Sequence, residues 1–503
     1  MKRKFSIFLN VVLFVACVCS LAFGVYSAKT AKLNVSGNVG FTAHNCKVDV
    51  YGYIYGHSTA PNEEPKGQED ADKLKKSDSS EVTSTNPLLI NGTTEELSFG
   101  TVYFSDLDNV TTRPNDIIIV LTITNVSEYF PVLLEDTSVG AYSNYSVVCS
   151  NPLHVLYTDE TDKTTTLTYT LSAVQNAEGN YDNITTPVSI SIGIYFSKID
   201  ADAVGKTTDG WEVDSSGNLT AVPTKAQNNN SDMLIIPASV TDGTTSTGVS
   251  SIGAGSSAPT NLSAYTKVVI LKGATSIGNK AFYNDSSLTN IAIPSSATSM
   301  GGSAFYKCSS LTSITIPEGV TSIGDATFSY CDSLMTVELP ESLEFVGRYG
   351  FSYCPKLIGI TIPKLTELDS WGGVFNGCDF KYMIVNPENP YYDSRNNCNA
   401  IIETSSNKLL YGCRNSIIPD DITSIAVYAF TKCSSLTSIT IPSSVTSIGG
   451  NAFKGCTGLT DVIFADTSKT WTANGTELTV TDPATNATNL KGQYYRYSWT
   501  KNS

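Results

Sequence analysis

Few residues in this chain are of the types that do chemistry. Its three histidines, His44, His57 and His154, all lie in the first third. His44 stands near Cys46, but two candidate ligands without a second pair are weak grounds for a metal site. The later two thirds hold no histidine, so the commonest general base and metal ligand is missing there. Carboxylates occur in that region as Glu318, Asp325, Asp332, Glu338, Glu341 and Glu344, with no shared spacing that would set a pair on one face. Gly301-Gly302 and Gly372-Gly373 are turn glycines; no Lys-Ser or Lys-Thr follows them to make a phosphate loop. No catalytic, cofactor-binding or metal-binding residue is assigned, and the chain is not expected to be an enzyme.

Cysteine is the one reactive type present in number, with 12 copies. Cys308, Cys331, Cys354, Cys378, Cys433 and Cys456 each follow a phenylalanine by three residues. Such a row reads as a metal or disulfide ladder, or as buried thiols acting as small core residues. The second is expected, because Asp285 holds the same place in the first regular copy. Cys398 and Cys413 flank an expected hairpin, Ala400–Glu403 with Lys408–Tyr411, and are a candidate disulfide; Cys46 with Cys149 is another.

What positions these residues is a repeat. Pro294, Pro317, Pro340 and Pro363 are spaced by 23 residues, as are Pro419 and Pro442. Phe282, Phe305, Phe328, Phe351, Phe375, Phe430 and Phe453 mark the same motif. In Leu311-Thr-Ser-Ile314-Thr-Ile316 the alternation is that of a strand, with Ile314 and Ile316 inward and Ser313 and Thr315 outward. Pro317 ends the strand because it cannot donate to a ladder. Val320 and Ile323 pack the far side, Gly324 permits a turn and Phe328 fills the coil. No coil can bury these faces alone, so neighbours must stack into a rod of nine or so coils.

The unit Leu311 to Cys331, and the copy Leu436 to Cys456, resemble the leucine-rich repeat of BspA-like bacterial surface proteins, L-x-x-I-x-I-P-x-x-V-x-x-I-G-x-x-A-F-x-x-C. The resemblance implies a surface protein that adheres to host matrix or to other cells. The expected outward strand positions are Asn290, Ala292, Ser313, Thr315, Thr336, Glu338, Gly359, Thr361, Tyr382, Ile384, Ser438, Thr440, Asp461 and Ile463, mostly small and uncharged. Trp371, Tyr382, Ile384, Tyr391 and Tyr392 break that pattern around an irregular insertion. They are the candidate partner-binding residues, since exposed aromatics often anchor partners; the other reading is that they pack the insertion onto the coil.

The expected fold is mainly β: an N-terminal β-sandwich or jelly roll, a solenoid and a small β-rich cap. Residues 1–27 read as an export signal, with Lys2, Arg3 and Lys4 before the apolar run Phe5 to Gly24. Cleavage after Ser27 and an uncleaved membrane anchor are the two outcomes; Phe14 argues against lipid attachment at Cys17. Short strands spaced through 28–200 suggest the sandwich, with a charged, polar loop at 58–86 expected to be mobile. That region resembles the camelysin/TasA surface and biofilm-fibre proteins in Leu33–Val35–Ser36–Gly37–Val39 and in Ile117–Thr124 ending at Asn125; a generic sandwich spacer is the alternative. Residues 201–262 form a transition and capping repeat, 263–465 the solenoid with its insertion at 386–416, and 466–503 the cap. The net charge of −15 disfavours nucleic acid as a partner. A secreted or cell-surface protein is expected, with a monomeric solenoid that binds a protein or glycan on host or microbial surfaces. A matrix or fibre component is the structural alternative, and a non-catalytic polysaccharide-binding module is a further one.

Overall fold

The computed structural model describes residues 205–253, 258–369 and 373–502 in full, and before residue 205 only the backbone of the strands. The chain divides into two units, 1–203 and 204–503.

The described strands of the first unit form two antiparallel sheets, of nine and seven strands. β-branched runs such as Ile117–Asn125 pair with Thr164–Ala173 and Lys47–Tyr55. Phe5–Phe14, within the segment read as an export signal, is a strand paired with Val188–Phe196 and Asn34–Thr42. Within the expected loop at 58–86, Asp72–Lys73 and Lys75–Lys76 are short strands. The remaining described residues of that loop belong to the edge pair His57–Ser58. Cys46 and His44 lie outside the described residues.

The second unit is a solenoid of about nine turns. The Val-x-x-Ile-Gly segment of each repeat makes a continuous ladder: Ile252, Ile277, Met300, Ile323, Val346 and Leu368 stand in register along parallel strands. The Ile-x-Ile segment makes a second set, from Met233–Ile236 through Lys267–Ile270 to Asn290–Ala292. The turn around each phenylalanine makes a third. Ser303, Phe305 and Lys307 donate N–H groups to the carbonyls of Asp325, Thr327 and Ser329 one coil on. Most backbone polar groups of a coil therefore find partners in the next coil, which is what buried backbone requires.

Inside, the phenylalanines stack. Ring centroids are 5.0 Å apart for Phe282–Phe305, 5.3 Å for Phe305–Phe328 and 5.1 Å for Phe328–Phe351, with planes within 11°. The glycine after the ladder Ile serves close approach rather than backbone freedom. A Cβ on Gly324 would lie 2.5 Å from the Gly302 nitrogen of the preceding coil, so any side chain would push two coils apart.

The column breaks at the insertion. Phe375 meets Phe380 and Tyr411 edge-on. Two tyrosine hydroxyls replace missing ladder partners: Tyr392 accepts from the Leu368 N–H at 3.2 Å, and Tyr411 from the Val374 N–H at 3.2 Å. The expected hairpin is present as Ala400–Glu403 with Lys408–Gly412. Its second strand starts a new parallel ladder through Ser424–Ile425 and Ser447–Ile448. The antiparallel strand Trp499–Lys501 ends its parallel part, and Trp471–Ala473 and Thr476–Leu478 extend the sheet beyond it. The C-terminal cap also contains a short helix, Pro483–Thr488, whose N-cap Asp482 accepts from the Thr485 N–H at 2.7 Å.

Candidate interaction surface

The cysteine row is internal. Each Sγ–H is aimed at a carbonyl that the stacking leaves with spare acceptor capacity. Cys308, Cys331, Cys354 and Cys456 donate to the carbonyls of Phe282, Phe305, Phe328 and Phe430 at 2.9–3.2 Å. All eight described cysteines are buried free thiols. Burial first, with little compensation, holds the thiols in the protonated form; that of Cys456 is pushed up to about 12. The candidate disulfide is therefore corrected: Cys398 and Cys413 are both thiols. Cys413 turns to the carbonyls of Asn399 and Lys381, whereas Cys398 turns to that of Ala400 in a different core cluster. Among the described residues no three His, Cys, Asp or Glu side chains gather where they could hold a metal ion.

Asp285 heads the column. It is 4% exposed, and its Oδ1 accepts from the N–H groups of Ser287 and Leu288 and from the Ser287 hydroxyl. Its Oδ2 has no partner. Burial raises its pKa against these hydrogen bonds.

The candidate partner-binding residues separate into surface and core. In Tyr382–Val385 the side chains alternate, with Tyr382 and Ile384 exposed and Met383 and Val385 buried. Tyr382 stands opposite Gly359, where a Cβ would come within 2.3 Å of its ring. The ring thus lies across the glycine, and only a residue without Cβ leaves room for it. Ile384, 46% exposed, stands opposite the exposed Thr361. Tyr391 is exposed and sits 6.0 Å from the Tyr392 ring. Tyr392 itself is corrected. It is 7% exposed, with its hydroxyl spent on the Leu368 backbone, and belongs to the core. Trp371 lies outside the described residues.

The rest of the outward face is less open than alternation alone suggests. Ala292, Ser313 and Gly359 are buried rather than outward, because neighbouring strands of the tightly stacked coils cover small side chains. Thr315 donates to the Glu338 carboxylate one coil on, at 3.2 Å. Beyond the insertion Ser438, Thr440 and Ile463 are exposed as expected. The core motif is silent on a second set, the half-buried or exposed tyrosines and exposed lysines one and two residues after the repeat phenylalanine. Their recurring place in the repeat was the signal that could have found them.

Comparison with known proteins bears on the repeats. Residues 255–381 and 401–476 match the model of the BspA type leucine rich repeat region, in six copies. A leucine-rich cell surface protein of Faecalibacterium prausnitzii is 28% identical over 50% of this chain and 74% of that one, with a TM-score of 0.38. A leucine-rich repeat protein of Bacteroides ovatus is 27% identical over 51% of this chain and 70% of that one, with a TM-score of 0.35. The pneumococcal vaccine antigen PcpA is 19% identical over 50% and 67%, with a TM-score of 0.42. No curated protein matches the chain. The matched residues are those of the stacked coils, and the repeats of residues 255–381 and 401–476 are of the BspA-type leucine-rich kind.

Proposed function

We propose that this is an exported surface protein whose solenoid binds proteins of a host matrix or of other cells, without catalysis. The observation that carries the reading is the group of exposed apolar side chains around the insertion. Tyr382 and Ile384 are 38% and 46% exposed on the strand Tyr382–Val385, and Tyr391, next to the strand Tyr392–Asp393 of a different sheet, is 44% exposed. Large apolar side chains kept in water at a rigid site are what a partner buries as an anchor. The strand beneath Ile384 is held in register by its parallel pairing with Gly359–Ile362, and Met383 and Val385 are buried under it, so the anchor is preorganised and little ordering free energy is lost on binding. Export through residues 1–27 belongs to the same reading. N-terminal sequencing of protein recovered from the cell exterior checks it.

The test is capture of the full chain on immobilised fibronectin, collagen and laminin, beside an Ile384→Ser/Tyr391→Ser variant. Tyr382 is left in place because it covers Gly359. The variant should lose about tenfold or more in affinity, the loss of one good anchor, with an unchanged melt. Equal capture of both proteins would remove these side chains from the binding site.

A further inference from the structure

The turn after each core phenylalanine carries a feature the fold does not require. Its backbone is left-handed, with φ of 59° at Lys307, 62° at Tyr330, 58° at Tyr353 and 60° at Lys432. Equivalent places in other coils hold Asn284, Gly377 and Gly455, which adopt that conformation at less cost. Glycine or asparagine thus serves the turn, yet four coils carry bulky side chains against the backbone preference. What those coils gain is the side chain itself.

The side chains form one continuous stripe. Tyr283 stacks on Tyr306 at 5.0 Å, Tyr306 meets Tyr330 edge-on at 5.6 Å, and Tyr330 stacks on Tyr353 at 4.6 Å. The Lys307 ammonium sits 5.5 Å and 5.8 Å from the ring centres of Tyr306 and Tyr330. The stripe continues past the irregular insertion. Tyr353 lies over Gly377, where a Cβ would come within 2.9 Å of the ring, and it meets the Lys432 ammonium at 4.5 Å. Lys432 is bonded through its N–H to the Lys454 carbonyl at 2.7 Å, and the Lys454 ammonium reaches Tyr495 of the cap at 5.9 Å.

These lysines are exposed. Among the described residues no carboxylate lies within salt-bridge reach of Lys307, Lys432 or Lys454, whereas Lys225, Lys364 and Lys501 are each paired with one. On a chain of net charge −15 this edge is of the opposite sign. Asp325 and Asp332, the exposed carboxylates closest in sequence to Tyr330, are not paired with those lysines.

The geometry selects the ligand. Stacked rings hide their faces from solvent and present edges and hydroxyls, so they make a poor platform for nucleic-acid bases. Phenols and ammonium groups together make a donor-rich strip, which suits carboxylates, sulfates and sugar hydroxyls. Rungs recur at about the 4.8 Å strand spacing, whereas an extended peptide repeats on one face only every ~6.7 Å. A linear chain of pyranose sugars advances about one unit per rung. We propose that the turn edge of the solenoid binds an anionic polysaccharide along Tyr306, Lys307, Tyr330, Tyr353, Lys432 and Lys454. These residues are distinct from Ile384 and Tyr391 at the insertion, and the two proposals stand or fall separately.

The test uses the full chain with immobilised polygalacturonate and heparin, and with dextran and poly-glutamate for comparison. The expected result is salt-sensitive binding to at least one of the charged polysaccharides and weaker binding to dextran and poly-glutamate. Lys307→Gln/Lys432→Gln/Lys454→Gln should weaken binding about tenfold or more, because its charge contacts are lost. The three corresponding Lys→Arg changes should retain it, which excludes a folding defect as the cause, and Ile384→Ser/Tyr391→Ser should leave it unchanged. Absence of binding to both charged polysaccharides overturns the proposal. So does poly-glutamate binding as tightly as either, or a Gln variant that binds like the parent.

Discussion

Phe328→Ala tests the stacking account most directly. The ring is fully buried and lies between Phe305 at 5.3 Å and Phe351 at 5.1 Å. Deleting a buried phenylalanine costs about 3–5 kcal/mol. Two lost ring pairs, at about 0.5–1.5 kcal/mol each beyond burial, place this site at the upper end of that range. Phe282 has one such ring neighbour, Phe305, so Phe282→Ala should cost less by about one pair, ~1 kcal/mol. Thr315→Ala removes a half-buried hydroxyl bonded to Glu338 and should cost at most about 1 kcal/mol. All four tryptophans, Trp211, Trp371, Trp471 and Trp499, belong to the second unit, so their fluorescence in urea reports the solenoid alone. With an m-value of about 3 kcal/mol per molar, Phe328→Ala should lower the midpoint by about 1.5 M and Thr315→Ala by about 0.3 M or less. Equal shifts would mean that the phenylalanines do not carry the coil interior. A Phe282→Ala cost as large as that of Phe328→Ala would mean that ring–ring contact adds nothing to burial.

Two further predictions follow from the column beside the rings. In native protein the eight described cysteines should resist alkylation, because burial keeps them as thiols; denaturation without reductant should expose all eight, and peptide mapping that finds any pair unlabelled would refute the thiol column. Asp285 should make stability pH-dependent. Its folded pKa is raised above its unfolded value, so its burial penalty is absent below the ordinary Asp range and fully present above the folded pKa. Asp285→Asn should therefore gain on the parent as pH rises through that window, measured as midpoints from pH 3.5 to 7, and a difference independent of pH would show that Asp285 titrates alike in both states.

The repeat made most of the solenoid legible in sequence. Leu311, Ile314, Ile316, Val320, Ile323, Phe328 and Cys331 recur at fixed places because every coil faces the same neighbours, so one motif describes each core position and its burial. The hairpin at the insertion was readable for the same local reason, a turn between two apolar runs. Which aromatic side chains face solvent was not readable. Tyr391 and Tyr392 are adjacent, yet one is exposed and the other spends its hydroxyl on the Leu368 N–H, 24 residues back. That difference arises from a ladder that stops at Leu368, and no local pattern records where a ladder runs out of partners. The thiol state of Cys398 and Cys413 has the same origin, since their flanking strands are close in sequence while the side chains enter different core clusters. Local alternation and spacing are properties of the chain and were fixed by it alone. Whether Tyr353 reaches Lys432, across 79 positions of sequence, depends on how many coils the insertion interrupts and how closely the rest approach, and only stacking decides that.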